Sequence, residues 1–374
     1  MFKYLKKFLI YVCLVMTLVL PAGCGPGQTL SKTGNVTLQY AKGFQIENVA
    51  GGCQKVTDGQ GRVLLLVPRD KQPPAEFQNL PVIHTPVKQV VTASTTQAAL
   101  IRPLGELGSI IGVNCEKDQW YIDEVKAGME KGNIQLIGSG TGNFDYDKIV
   151  ALKPDVVFIS GGSPNDAQVL KKLEELKLPV AVDNCWLEQD PLGRLEWIKF
   201  FSAFYDKGQQ AESFFTGVVK KTEDIAVKVA GEKVKPKILW GMIYQGKAYV
   251  PGADSYVAKM IEMAGGDYLF KDIKGTGSTP VTLEEYYVKG KEANIYIDSS
   301  MADLDKITIA GIIAEGKVLA DLPALKEGKA WGFQPWYWQS LDKTDEVIAD
   351  LAAIFHPDLF AGRQLQQFSQ LPQS

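Results

Sequence analysis

Behind Asp190 and Pro191, which read as an N-cap and a first helical residue, Leu195, Ile198, Phe201 and Tyr205 recur at helical spacing. Asp206-Lys207-Gly208 breaks this pattern. Phe214, Val218, Thr222, Ile225 and Val229 then share one face, with Glu212, Lys220, Lys221, Glu223 and Lys228 opposite. The second run predicts an amphipathic helix roughly 30 Å long, the width of a small domain. On either side of residues 190–231, short apolar runs of strand character alternate with helical periodicity. Two α/β halves joined by a stiff helical spine are therefore expected, against an ordinary helix inside one large domain.

Before the spine, Val36 to Val67 is strand-like, with turn signals at Asp58-Gly59 and Gln60-Gly61, and predicts a small β extension. Pro68 to Pro81 is polar and proline-rich and reads as a linker. Strands are expected at Val87–Val91, Ser109–Val113, Val156–Ile159 and Val180–Val182. Helices are expected at Thr95–Leu104, Asp147–Leu152 and Val169–Leu176. After the spine, strands at Lys237–Trp240 and Ile295–Ile297 alternate with helices at Ser255–Ala264, Thr282–Val288 and Thr344–Phe355. Repeated β-α units with apolar strands argue for parallel sheets covered on both faces. The resulting division is a signal at 1–23, tether and β extension at 24–85, a first lobe at 86–189, spine helices at 190–231, a second lobe at 232–357 and a tail at 358–374.

At 374 residues the chain exceeds what one core usually covers. Its net charge of −3 offers no basic excess for nucleic acid, which is excluded as a partner. The first residues change the picture more. Lys3, Lys6 and Lys7 precede an apolar run from Phe8 to Leu20, too short to span a membrane comfortably, and then Leu20-Pro21-Ala22-Gly23-Cys24. This resembles a bacterial lipoprotein signal cleaved before Cys24, with lipid on the Cys24 sulfur. It places the mature chain outside the cytoplasm on the bacterial cell membrane, with a glycine-rich tether behind the anchor. Cys53, Cys115 and Cys185 remain and read as free thiols, since no CxxC pair suggests metal or redox work.

Candidate chemistry is largely aromatic. His84 and His356 sit in unrelated contexts, so no protein-held metal is expected. No nucleophile elbow, phosphate loop or HExxH helix occurs, and the glycine-rich runs at 138–142 and 275–278 read as turns. Trp331, Phe333, Trp336, Tyr337 and Trp338 crowd together, interrupted by Gly332 and Pro335, which argue against a core helix or central strand. Some of these rings should line a cleft, as should Trp120-Tyr121. Trp186, Tyr244 and Tyr249 follow predicted strand ends, where ligand loops lie in open α/β sheets. The competing reading of these aromatics is core. Asp147 and Glu284 each open a helix that feeds a buried strand, and simple capping would explain both.

The segment Asp147-Lys148-Ile149-Val150-Ala151-Leu152-Lys153-Pro154-Asp155-Val156-Val157 resembles a characteristic stretch of ABC-importer solute-binding proteins for ferric siderophores, haem and cobalamin. Gly105 to Val113, Gly252 to Tyr256 and Gly265 to Phe270 resemble further segments of that family. The resemblance runs from about Val87 to Phe355. It implies two Rossmann-like lobes, a rigid interdomain helix, and a shallow cleft that holds one iron or cobalt chelate as solute, with no resident cofactor. It implies a monomer, not an enzyme, that docks on an ABC permease whose ATPase drives import. Asp147 and Glu284 match the family's permease-facing acids, the first usually Glu. Trp120, Tyr121, Trp186, Tyr244, Tyr249, Trp336, Tyr337 and Trp338 are the expected ligand contacts. An extracytoplasmic hydrolase or a sensor on the same fold is the alternative.

Overall fold

The computed structural model describes residues 34–140, 142–300 and 306–374. The signal segment, Cys13 and Cys24 lie outside the described residues. Three sheets organise the chain. The first holds β1 (Gly34–Asn35), β2 (Gln45–Asn48), β3 (Gln54–Thr57), β4 (Val63–Pro68) and β5 (Val82–Thr85) in sequential order. Residues between β4 and β5 are no linker between domains. They form the crossover that lets these two strands pair in parallel.

The second sheet is all parallel. It comprises β6 (Val90–Thr92), β7 (Ile110–Val113), β8 (Gln135–Leu136), β9 (Val156–Ser160) and β10 (Val180–Asp183), in the order β10-β9-β6-β7-β8. Around it run α1 (Thr95–Ile101), α2 (Asp123–Glu130), α3 (Tyr146–Leu152) and α4 (Pro164–Glu175). The first is opened by a reciprocal box between Ser94 and Gln97, and the last by one between Ser163 and Asp166.

The spine is α5 (Pro191–Glu196), α6 (Ile198–Phe204) and α7 (Gly208–Val229). Asp190 caps the first of these by accepting from Leu192 N at 2.8 Å. Asp206, in the left-handed region with φ +56°, makes the break before the third. One expected position shifts by a residue: Phe215, not Phe214, is the buried ring of α7. Ala211, Phe215, Val218 and Val219 pack into the first lobe's core. Val229, two turns or more further on, belongs to the second lobe's core. One helix thus contributes to both cores, which makes it a spine in the physical sense.

The second lobe comprises β11 (Lys237–Tyr244), β12 (Lys247–Pro251), α8 (Tyr256–Met263), β13 (Asp267–Tyr268), β14 (Ser278–Thr282), α9 (Leu283–Gly290), β15 (Ile295–Asp298), α10 (Ile309–Glu315), α11 (Pro323–Lys326), β16 (Ala330–Phe333), α12 (Thr344–Phe355) and β17 (Phe368–Gln370). Its sheet is mixed: β11 pairs in parallel with β13 and β15, and β15 with β16, whereas β12 pairs antiparallel with both β11 and β14, and β17 antiparallel with β16. The stretch 358–374 is therefore not a tail, because β17 completes the sheet beside β16. Trp331 and Phe333 likewise lie in an interior strand. Gly332 permits it, since a Cβ there would stand 2.9 Å from the Leu371 side chain.

The β extension is fused to the first lobe. Phe44, Ile46, Val56, Leu64, Leu66 and Ile83 share its core. Phe44 packs on Trp197 and Phe200, and Phe158 packs on Phe200, Phe201 and Phe204, with centroids 4.7–6.3 Å apart. Each such ring contributes about 1.5–3 kcal/mol through burial. At the sheet edge, Gly59 N donates to Val182 O at 2.9 Å and Val182 N donates to the Asp58 carboxylate at 3.2 Å. The hairpin tip thereby covers the exposed edge of β10.

Candidate ligand cleft and docking face

The carboxyl ends of the parallel strands in both lobes carry the loops that hold the candidate aromatics. After β7, the Trp120 indole is only 1% exposed, and its N–H donates to Cys115 O at 3.2 Å. Trp120 is thus a core residue that braces the loop, and the expectation of a ligand contact there is corrected. The brace turns its neighbour outward: Tyr121 is 43% exposed. Its ring meets Trp336 of the second lobe edge to face at 6.2 Å. After β10, Trp186 is 47% exposed and donates its N–H to Gly161 O at 2.9 Å. The indole lies over Gly162, where φ is +108° and a Cβ would come within 2.7 Å of the ring.

In the second lobe, Tyr244 is 55% exposed at the end of β11, and half-buried Tyr249 stands 6.4 Å from it across the hairpin. Trp336, 37% exposed, is held by an N–H bond to Gln366 O at 2.9 Å. Tyr337 turns the other way. It stacks on Phe333 at 3.9 Å and is a core residue, again against expectation. Residues 337–339 form a 3-10 turn. Successive side chains in such a turn diverge by about 120°, so three adjacent aromatics take three directions. Trp338 is half-buried, edge-on to Phe333 at 5.6 Å. Tyr121, Trp186, Tyr244, Tyr249 and Trp336 remain as the candidate rim, and among them the structure brings together Tyr121 with Trp336 and Tyr244 with Tyr249.

The lobes are clamped beside this rim by residues that the sequence did not single out. Gln339 accepts from Tyr121 N at 2.9 Å and donates to Gln119 O at 2.7 Å. Arg102 grips Asp342 through two nitrogens, at 2.5 and 2.8 Å. Burial pushes the Asp342 carboxyl up, and the guanidinium pulls against that shift without cancelling it. Thr96 reaches Trp338 O at 3.4 Å. A glutamine after an aromatic run carries no pattern of its own, which is why it escaped notice.

A cavity of about 1130 Å³ lies along one side of the interlobe joint. Tyr40, Lys42 and Gly59 of the extension form part of its wall, opposite Ser255, Lys259 and Tyr268 of the second lobe.

The two acids occupy equivalent positions. Asp147 lies in the first turn of α3, but Asp145 is the cap, accepting from Lys148 N at 3.0 Å. Glu284 lies in the first turn of α9, where Thr282 caps by accepting from Glu285 N at 3.1 Å. Both acids are exposed, and neither forms a hydrogen bond or ion pair among the described residues. Capping therefore does not occupy their carboxylates. Each helix feeds a parallel strand, so its N-terminus lies at the same end of its lobe as the ligand loops.

Among the described residues no cluster of three or more His, Cys, Asp or Glu could hold a metal ion. His84 is exposed on β5, and buried His356 bonds Gly265 O at 3.2 Å. Cys53, Cys115 and Cys185 are free.

Two α/β lobes on a helical spine, with loops converging at their strand ends, define a two-lobed solute-binding protein. The chain belongs to the periplasmic binding protein family, whose model matches residues 90–332. The β extension precedes that match. An uncharacterized lipoprotein of Methanocaldococcus jannaschii is 35% identical over 327 residues, covering 83% of this chain and 76% of the relative. A second uncharacterized lipoprotein of that organism is 26% identical, covering 96% and 97%. Among solved structures, a molybdate periplasmic binding protein of Haemophilus influenzae aligns with TM-score 0.62 at 18% identity, covering 83% of this chain and 94% of that one. A periplasmic haem-binding protein from Pseudomonas aeruginosa aligns with TM-score 0.59 at 18% identity, covering 76% and 96%. The family and these neighbours are solute-binding proteins, not enzymes, and the family is extracytoplasmic.

Proposed function

We propose that this protein captures a metal chelate between its lobes and delivers it to an ABC importer. The chelate is a ferric siderophore, a corrinoid or haem. The observation that carries this reading is the exposed aromatic rim contributed by both lobes, with Tyr121 and Trp336 in contact across the joint. Flat rings at a cleft grip large, partly apolar ligands, and each adds aromatic burial on binding. Haem-binding structural neighbours support a ligand of this size. With both histidines away from the rim, Tyr121 and Tyr244 are the side chains suited to ligate a haem iron. Asp147 and Glu284 serve as the two contacts for the permease. Lipid on Cys24 holds the protein at the membrane, in keeping with relatives named as lipoproteins.

Native mass spectrometry of the protein offered a mixture of ferric siderophores, corrinoids and haem tests the proposal. One chelate should be retained at one per chain, and titration with it should quench tryptophan fluorescence. Retention of none, together with retention of a simple oxyanion such as molybdate, overturns the chelate reading. Replacement of Cys24 by Ala should abolish labelling with radioactive palmitate, and persistent label would remove the anchor assignment.

A further inference from the structure

The joint between the lobes contains a second polar feature, distinct from the aromatic rim. A small cavity of about 30 Å³ is lined by Thr96, Arg194, Met260, Tyr337, Trp338 and Ser340, among others. Arg194 Nε and Trp338 Nε1 are both buried, and neither has an acceptor among the described residues. The guanidinium lies over the Tyr256 ring, 3.9 Å from its centroid, and has no ion-pair partner among the described residues. The buried Asp183 carboxylate feels that charge from further off. Its own oxygens are held by Gln97 Nε2 at 2.7 Å and Cys185 N at 3.0 Å. An arginine keeps its proton in any protein environment, and buried donors without acceptors are destabilising. The hydroxyls of Thr96, Ser340 and Thr344 donate to main-chain carbonyls. The guanidinium also has a side-chain hydrogen bond with Tyr256, so Arg194 Nε and Trp338 Nε1 are the buried donors left without an acceptor beside the cavity.

We propose that this cavity binds one monatomic anion of halide size. The unpaired cation selects an anion over neutral water. Size selects its class, since 30 Å³ admits about one or two water-sized species and excludes the carboxylate arm of a chelate. The two donors come from different parts of the molecule: Arg194 from α5 of the spine, Trp338 from the turn after β16. An ion between them ties the spine to the second lobe and stabilises the folded state by mass action.

Crystals of the full chain grown in bromide, and melting curves in potassium bromide, chloride or gluconate, test this. Ionic strength is held fixed so that general screening is constant. One anomalous bromide peak is expected within hydrogen-bonding reach of Arg194 Nε and Trp338 Nε1. Melting in either halide should exceed that in gluconate by about 2 °C or more. Trp338→Phe keeps the ring and removes the N–H, and should weaken the apparent halide affinity about tenfold. Arg194→Gln should abolish the halide effect. Water rather than bromide in the density, or equal melting in halide and gluconate, overturns the site. So does a halide effect that survives undiminished in Trp338→Phe.

Discussion

Glu196 is fully buried in α5, and its carboxylate gathers the amide protons of Gln39, Tyr40 and Ala41 at 2.8–3.0 Å. The Lys199 ammonium completes the set at 2.9 Å. Glu196→Ala leaves three amides without their acceptor and removes one of the two carboxylates on Lys199, with Glu212 remaining at 2.8 Å, and should cost about 3 kcal/mol or more. Urea unfolding measures that loss, and limited proteolysis should then cut between residues 34 and 85 first. Asp155 makes a weaker tie of the same kind. Burial pushes its carboxyl up, but the Lys88 amide, the Arg69 guanidinium and the Gln89 amide outweigh burial and hold it below its ordinary value of 3.8. A depressed carboxyl contributes stability above its unfolded value and loses it as pH falls through the folded one. Asp155→Asn should therefore cost about 1–3 kcal/mol at pH 7. Its deficit against the parent should shrink below about pH 4 and vanish in stronger acid. A deficit unchanged from pH 7 to pH 2 would show that the carboxylate's charge contributes nothing.

At the scale of elements, the aromatic loops divide into exposed rings, Trp186 and Trp336 among them, and buried rings such as Trp120 and Tyr337. Trp186→Ala and Trp336→Ala should each weaken chelate binding by about 1–3 kcal/mol, with little change in melting. Trp120→Ala and Tyr337→Ala should cost about 3–5 kcal/mol of folding stability instead. Paired ligand titration and thermal melts on the four variants separate the classes, and the reverse assignment would redraw the rim. This division was not legible in the sequence, because consecutive aromatics look alike until the turn that spreads them is known. What was legible had strong local signals. Asp190-Pro191 marked the start of α5, and α12 spans Thr344–Phe355 as its periodicity indicates. Cys53, Cys115 and Cys185 are free, as read; Cys53 and Cys185 are buried, whereas Cys115 is only half-buried. By contrast β12, β14, β16 and β17 were missed: Pro280 interrupts β14, Gly332 interrupts β16, Pro251 ends β12, and β17 is only three residues long. The interlobe clamp was missed for a different reason. Gln339 and Arg102 act across more than 200 residues of chain, and no local pattern encodes such a pairing. Arg194 and Lys199 did leave a trace, as lone cations on the apolar side of the spine.

For the whole molecule, the question is how two lobes present one surface to a membrane partner. The spine enters both cores, and the clamp at Gln339 and Arg102–Asp342 adds a second tie, so the lobes hold a near-constant spacing. On the proposed reading, Asp147 and Glu284 serve as a two-point key, one carboxylate per lobe, each left free by a separate capping residue. Opposite charges at a protein rim mainly steer and orient, and salt screens them. Asp147→Arg combined with Glu284→Arg should leave chelate affinity within about twofold, a few tenths of a kcal/mol, because neither acid is placed in the aromatic rim. Stimulation of the partner ATPase should collapse in the same variant, and single reversals should show a steep dependence on salt. Asp147→Glu restores the side-chain length usual in the family and should be tolerated or mildly improved. The measurement is ATPase stimulation of the reconstituted importer by each purified variant, beside ligand titration. Full stimulation by the double reversal would mean that the permease reads another part of this face. Loss of chelate binding in that variant would mean instead that the acids act on the cleft, which places docking and capture on one surface rather than two.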